Sequence, residues 1–221
     1  MAPSSFAVIF DLDGVVVDNL HYHWLAWEAF CRAHDVWMDE KNFLQKYNGR
    51  VNAEILDDVF QKPLSEEEHA QFEKEKENYY RELYHPKLTL IPGLREFLEK
   101  LRNQNIPIGL GTAAPKDNVD FVLDTANIRS YFSVISDASG NVRGKPHPDI
   151  YTVAIQKLGI NPGQCIVFED SEFGIAAGLA AGAHVVALAT TNPRERLGDA
   201  EMIIDDFTQI SVDELHRLVQ S

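Results

Sequence analysis

The sequence predicts an α/β fold: a doubly wound, mostly parallel sheet with a Rossmann-like core, carrying an inserted helical domain. Three short runs, residues 6–10, 106–110 and 165–168, are almost continuously apolar, as strands buried on both faces are. Between and after them lie amphipathic segments of helical length, and alternating strand and helix builds a parallel sheet covered by helices. A third observation locates the insert, because residues 18–90 break the alternation and read as one helix after another.

Taken in order, the first run ends at once on Asp11-Leu12-Asp13-Gly14. In the insert, Trp24, Trp27, Phe30 and Cys31 recur at helical spacing and mark one apolar face. Ser65-Glu66-Glu67-Glu68 has the form of a capping box that opens a second, charged helix running through Arg81. The core domain is therefore expected over residues 1–17 and 91–221, and the helical cap domain over 18–90. Core helices are expected near residues 92–103, 116–127, 147–159, 171–182 and 212–220, with Pro92-Gly93 and Asn161-Pro162-Gly163 at two of the joints. Residues 173–193 lack formal charge apart from His184, and Gly174, Gly178 and Gly182 spell G-x-x-x-G twice. The run is mostly Ala and Gly and stops at Thr190-Thr191-Asn192-Pro193, which argues against a membrane span and for a helix packed closely on the sheet.

The chain has 221 residues, enough for one core carrying an insert, and its 45% hydrophobic and 10% aromatic content can fill that core. It carries 20 basic and 34 acidic residues, a net charge of −14. Nucleic acid and anionic membranes are therefore not expected as partners, and an anionic substrate must be held by a few placed cations or by a metal. Cys31 and Cys165 lie far apart in apolar patterns, which supports neither a disulfide framework nor a cysteine metal site. The first residues hold no basic group, so a secretory signal is not expected; the compartment is expected to be the cytoplasm and the chain a monomer.

In an open parallel sheet, ligands bind beyond the carboxyl ends of the strands. Those positions hold Asp11 and Asp13, then Thr112, then Glu169 and Asp170. Four carboxylates in one crevice need a positive charge among them, and all-oxygen ligands at that density suit Mg²⁺. Residues two apart leave a strand on the same side, so Asp11 and Asp13 can face one reacting atom, and Gly14 lets the chain turn away. One carboxylate could attack phosphorus while the other moves a proton, although D-x-D-G by itself equally describes solvated turn acids. Thr112 follows Gly111 and precedes Pro115, the layout of a phosphate cradle at a helix start. The same glycines, Gly109 and Gly111, make a poor dinucleotide fingerprint, since they do not open the first strand and Arg129 stands near where an acid is needed. Lys145, stiffened by Pro146 and Pro148, could offset the charge of carboxylate and phosphate, or be an ordinary loop lysine. His21 and His23 are rejected as a zinc pair, because residues two apart on a helix point in different directions.

Together, Asp11-Leu-Asp-Gly-Val-Val-Val-Asp18, Gly111-Thr112, Gly144-Lys145-Pro-His-Pro-Asp-Ile-Tyr151 and Phe168-Glu-Asp-Ser-Glu-Phe-Gly174-Ile-Ala-Ala-Gly178 resemble the four ordered motifs of the haloacid dehalogenase superfamily of phosphotransferases. The likeness spans nearly the whole chain. His21-Tyr-His23-Trp-Leu-Ala-Trp27 is similar to the β-phosphoglucomutase-like branch of that superfamily. The resemblance implies Asp11 as nucleophile and magnesium ligand, Asp13 as general acid/base binding the metal through its carbonyl, and Asp170 as second carboxylate ligand with Glu169 nearby. It implies Thr112 and Lys145 on the transferred phosphate, and substrate contacts from His23, Trp27, Gly49, Arg50, Asn52, Lys76, Ala113 and Lys116. Mutases of the branch resemble one another in an arginine three residues after a cap glycine; counted from Gly49 this chain has Asn52 there, and Arg50 directly follows the glycine. The implied function is magnesium-dependent hydrolysis of a small phosphorylated metabolite, a sugar phosphate, through an aspartyl phosphate. The alternatives are a β-phosphoglucomutase, interconverting β-glucose 1-phosphate and glucose 6-phosphate, and a metal-dead binding module of the same fold.

Overall fold

In the computed structural model, which describes residues 6–47, 50–137 and 143–220, the first apolar run forms strand β1 (Ala7–Phe10), buried throughout. Helices α1 (Leu20–Ala33), α2 (Glu40–Asn42), α3 (Asn52–Phe60) and α4 (Glu66–Tyr84) follow it, with a π-helical turn, Phe43–Tyr47, running on from α2. The chain then alternates through α5 (Leu94–Asn103), β2 (Ile108–Gly111), α6 (Lys116–Thr125), β3 (Val134–Ser136), α7 (Asp149–Leu158), β4 (Cys165–Glu169) and α8 (Glu172–Ala180). Strands β5 (His184–Leu188) and β6 (Met202–Ile204) and helix α9 (Val212–Leu218) complete it. The described residues divide into two compact units, one within Met1–Asp18 and Thr89–Ser221, the other Asn19–Leu88.

The six strands form one sheet in the order β3-β2-β1-β4-β5-β6, with every neighbouring pair parallel. Side chains alternate across it. Ala7, Ile9, Cys165, Val167, Val185 and Ala187 pack against Ile150, Tyr151, Ala154 and Ile155 of α7 and Ile175 and Ala177 of α8. On the opposite face Phe10 and its register partner Phe168 stack at 5.1 Å, and Phe97 of α5 meets Phe168 edge-on at 5.7 Å. Offset and edge-on rings pack densely without strain, so truncating Phe168 to Ala should cost about 3–5 kcal/mol.

Several elements differ from what periodicity alone suggests. The second strand begins at Ile108, not at residue 106, because the Ile106 N–H is spent on Leu101 O at the end of α5 and Pro107 has none to give. Residues 171–193 hold a helix and then a strand: α8 stops at Ala180, and the β-branched pair Val185-Val186 continues in β5. Strands β3 and β6, three residues each, are too short to show a period. Ser65 and Glu68 do form the capping box, at 3.2 and 2.8 Å, and the helix runs past Arg81 to Tyr84.

Within the helical unit, Trp24, Trp27, Phe30 and Cys31 of α1 pack with Met38, Phe43, Tyr47, Ile55 and Leu56 in a core of its own. Cys31 and Cys165 are both buried free thiols, pushed up by burial to about 11 and about 12, well away from thiolate chemistry. Among the described residues, no helix is long and apolar enough to cross a membrane.

Candidate active site

Strands β2 and β3 lie on one side of β1, and β4, β5 and β6 on the other, so the chain reverses its winding at β1 and β4. The crevice beyond the carboxyl ends of those two strands is where an open sheet of this kind takes a ligand. Asp11 leaves β1 there, its N–H still donating to Phe168 O at 3.0 Å, and Glu169 closes β4 with Asp170 next. The loop before α7 brings in Lys145, whose ammonium stands 2.9 Å from Asp11 Oδ1 and also pairs with Glu169 Oε1. Among the described residues, one group of three metal-capable side chains has its ligand atoms within 4.8 Å of one another: Asp11, Glu169 and Asp170, all buried.

Glu169 is saturated with donors. Oε1 accepts from Lys145 and from the Tyr151 hydroxyl at 2.6 Å. Oε2 accepts from the N–H groups of Asp170 (2.9 Å) and Ser171 (3.1 Å) and from the Ser171 hydroxyl (3.0 Å). Burial opposes its charge, but Lys145 and these donors outweigh burial and hold the carboxyl below its usual range. The other two acids are worse provided. Burial, with Glu169 and Asp13 adding to it and Lys145 opposing, pushes Asp11 up to about 7. Burial likewise lifts Asp170 well above the carboxylate range, with Glu169 and Asp11 adding to it. Three buried carboxylates against one ammonium leave the cluster short of positive charge, and hard oxygen donors at this spacing fit a divalent cation such as Mg²⁺.

Neighbouring segments hold Asp170 in place. The Thr191 hydroxyl donates to Asp170 Oδ2, and the Asn192 amide donates to the Asp170 carbonyl at 3.0 Å. The Thr190 hydroxyl donates to Gly14 O at 2.6 Å. Gly14 has φ +76, and a Cβ there would fall 2.1 Å from Asp170 Oδ2, so only glycine admits the carboxylate this close to the turn after Asp13. That turn is closed by Gly14 N–H on Val17 O at 2.7 Å and leaves Asp13 half-buried.

Thr112 continues the ladder from β2, its N–H donating to Ser136 O at 2.9 Å while its hydroxyl accepts from Ala114 N–H at 3.0 Å. Ala113 lies in that turn, and Pro115 precedes the first residue of α6 instead of belonging to it. Lys116 is 65% exposed and paired with Asp120, which Arg129 also grips at 2.7 Å. With Arg129 and Lys157 it lines a cleft of about 250 Å³. Among the described residues its ion-pair partner is Asp120, not a member of the carboxylate cluster.

The helical unit holds the remaining candidates, apart from Gly49, which lies outside the described residues. Lys76 is 1% exposed; its ammonium is 2.8 Å from Glu77 Oε1 and 3.0 Å from His23 Nδ1, and lies over the Trp27 ring at 5.3 Å. Trp27 is itself buried, a floor under that ammonium and part of the unit's core. His23 stacks on Tyr80 at 4.0 Å. Asn52 donates to Glu77 Oε1 at 2.7 Å and to Glu73 Oε1 at 3.2 Å. Arg50 pairs with Glu54 at 2.9 Å and Asp58 at 3.3 Å.

Tyr151, Ser171, Thr191 and Asn192 were not anticipated as site residues. A signal existed for two of them: Thr191 and Asn192 follow the carboxyl end of β5, the position that pointed to Asp11 and Asp170.

Residues 7–182 match the family of haloacid dehalogenase-like hydrolases. Validoxylamine A 7'-phosphate phosphatase of Streptomyces hygroscopicus subsp. limoneus is 32% identical over 204 residues, 91% of this chain and 94% of that protein. The beta-phosphoglucomutase of Bacillus subtilis is 32% identical over 217 residues, 95% of this chain and 93% of that protein. A crystal structure of a HAD hydrolase, family IA, variant 3, from Entamoeba histolytica superposes with a TM-score of 0.90 at 30% identity, covering 98% of this chain and 100% of that one.

Proposed function

Because the chain belongs to the haloacid dehalogenase-like hydrolases and is an enzyme of their phosphatase and phosphotransferase class, we propose that it hydrolyses a small sugar phosphate through a phosphoryl group carried on Asp11. The observation that carries the reading is the position of Asp11: at the carboxyl end of β1, 2.9 Å from the Lys145 ammonium and inside the buried carboxylate group. Asp11, Asp170 and the Asp13 carbonyl would hold Mg²⁺, with Glu169 beside them. Bound there, the ion supplies the positive charge that keeps Asp11 ionised and offsets the phosphate.

The protein's own groups do the rest. Lys145 and the Thr112 hydroxyl orient the phosphate. An Asp11 oxygen attacks phosphorus, the ester P–O bond breaks, and Asp13 gives its proton to the leaving oxygen. Water then attacks the aspartyl phosphate as Asp13 takes its proton back, releasing inorganic phosphate and free Asp11. Within the helical unit, His23, Lys76 and Arg50 are the candidate sugar contacts.

A mutase must also hold a second, non-reacting phosphate, for which a free bidentate arginine is the suited group. Arg50 and Lys76 are instead neutralised by Glu54, Asp58 and Glu77 within their own unit, which favours a monophosphate substrate. The mutase reading stands second, supported by the likeness to the Bacillus subtilis beta-phosphoglucomutase. A panel of sugar phosphates, including β-glucose 1-phosphate primed with bisphosphate, tests the choice. Release of inorganic phosphate is expected; conversion to glucose 6-phosphate with little phosphate release would overturn it.

A further inference from the structure

We propose that Tyr151 is a positioning residue for Lys145, its phenol fixing the side of the Glu169 carboxylate on which the ammonium must sit. Tyr151 lies in the first turn of α7 and is fully buried. Its hydroxyl donates at 2.6 Å to Glu169 Oε1, the oxygen that also pairs with Lys145. A carboxylate oxygen offers two lone-pair directions, so with the phenol on one, the ammonium is confined to the other. That other direction brings the ammonium to 2.9 Å from Asp11 Oδ1. The remaining freedom of the carboxylate is removed by the three donors on Oε2.

The ring is as constrained as the hydroxyl. A Cβ on Gly111, at the end of β2, would lie 2.9 Å from Tyr151 Cδ1 and Cε1, so the glycine beside Thr112 leaves the space the ring fills. The ammonium also sits 5.1 Å from the centroid of that ring. A lysine has a flexible four-carbon stem and an ammonium without preferred direction, and cannot by itself hold a fixed line to a reacting atom. Tyr151 and Glu169 supply that line. Without the hydroxyl, Lys145 gains a second place on Oε1, turned away from Asp11.

The catalytic consequence rests on the function proposed above; the positioning itself does not. Tyr151→Phe keeps the ring against Gly111 and removes only the hydroxyl. The lysine ammonium resonance of Lys145, identified by its loss in Lys145→Arg, is followed by ¹H–¹⁵N correlation in the isotope-labelled protein. In Tyr151→Phe it is expected to shift, with its protons exchanging with water at least about threefold faster while Tm stays within a few degrees. On the best phosphate ester, kcat is expected to fall about tenfold with KM within about twofold, the mark of an interaction tightened in the transition state. An unchanged resonance overturns the proposal, as does a Lys145 ammonium too mobile to be seen in the wild-type protein, or a shifted resonance with kcat unchanged in an active enzyme. A wild-type protein that cleaves no phosphate ester defeats the proposed function instead, and the resonance alone then decides the role of Tyr151.

Discussion

Asn52 donates to the buried carboxylate of Glu77 at 2.7 Å, and Glu77 is the partner of Lys76 at 2.8 Å. An amide, a carboxylate and an ammonium thus form one internal set, and the cation in it is already neutralised. Arg50 is engaged likewise by Glu54 and Asp58.

The first prediction follows from those pairs. Arg50→Ala should raise KM by no more than about threefold and leave kcat nearly unchanged, as for a contact equally strong in ground and transition states. Steady-state kinetics on the preferred phosphate ester checks it. A hundredfold loss, about 3 kcal/mol, would mean that Arg50 leaves its carboxylates to grip a phosphate.

Asp11→Asn should lower turnover by several orders of magnitude, because an amide does not attack phosphorus. In chelator its Tm should equal or exceed that of the wild type, since the change removes one of the buried acids that burial and neighbours make costly to ionise. Phosphate release and a thermal melt decide both halves. More than a tenth of wild-type activity would end the covalent mechanism.

Stability should depend on pH and metal together. Without metal, Asp11 has its folded value raised from 3.8 to about 7, so through that window the folded chain holds a proton the unfolded chain has released. The metal-free protein therefore loses stability as pH rises from about 4 to about 7, and Asp170, raised by the same burial, adds to the trend. Mg²⁺ competes with those protons, so millimolar Mg²⁺ should raise Tm more at about pH 7.5 than at about pH 5.5. An equal or larger shift at the lower pH would show that these acids are not the ligands.

Thr191→Val should weaken Mg²⁺ binding by about tenfold, because it removes the hydroxyl that orients Asp170 while leaving every proposed ligand in place. Asp13→Asn should spare it, since the proposed contact there is a backbone carbonyl. Calorimetric titration with Mg²⁺ alone, without substrate, separates the two. The reverse ranking would reassign the ligands.

The sequence by itself determined the local features. Alternating elements, the helical insert and the Ser65–Glu68 capping box are carried by periods and spacings that fit inside one segment. Asp11, Thr112, Glu169 and Asp170 were legible as strand-end residues because each directly follows or closes an apolar run.

Only the tertiary structure decided which segments meet. The strand order sets β4 beside β1, and that adjacency brings Glu169 to Asp11 across the chain. Strands β3 and β6 take their identity from neighbours in the sheet, because three residues are too few to carry a period. Tyr151 reaches Glu169, Thr191 reaches Asp170 and Asn52 reaches Glu77 over 18, 21 and 25 positions respectively. No spacing rule reports such pairs, since a hydrogen bond depends on where two side chains stand in space, and that is set by how helices pack on the sheet and on one another.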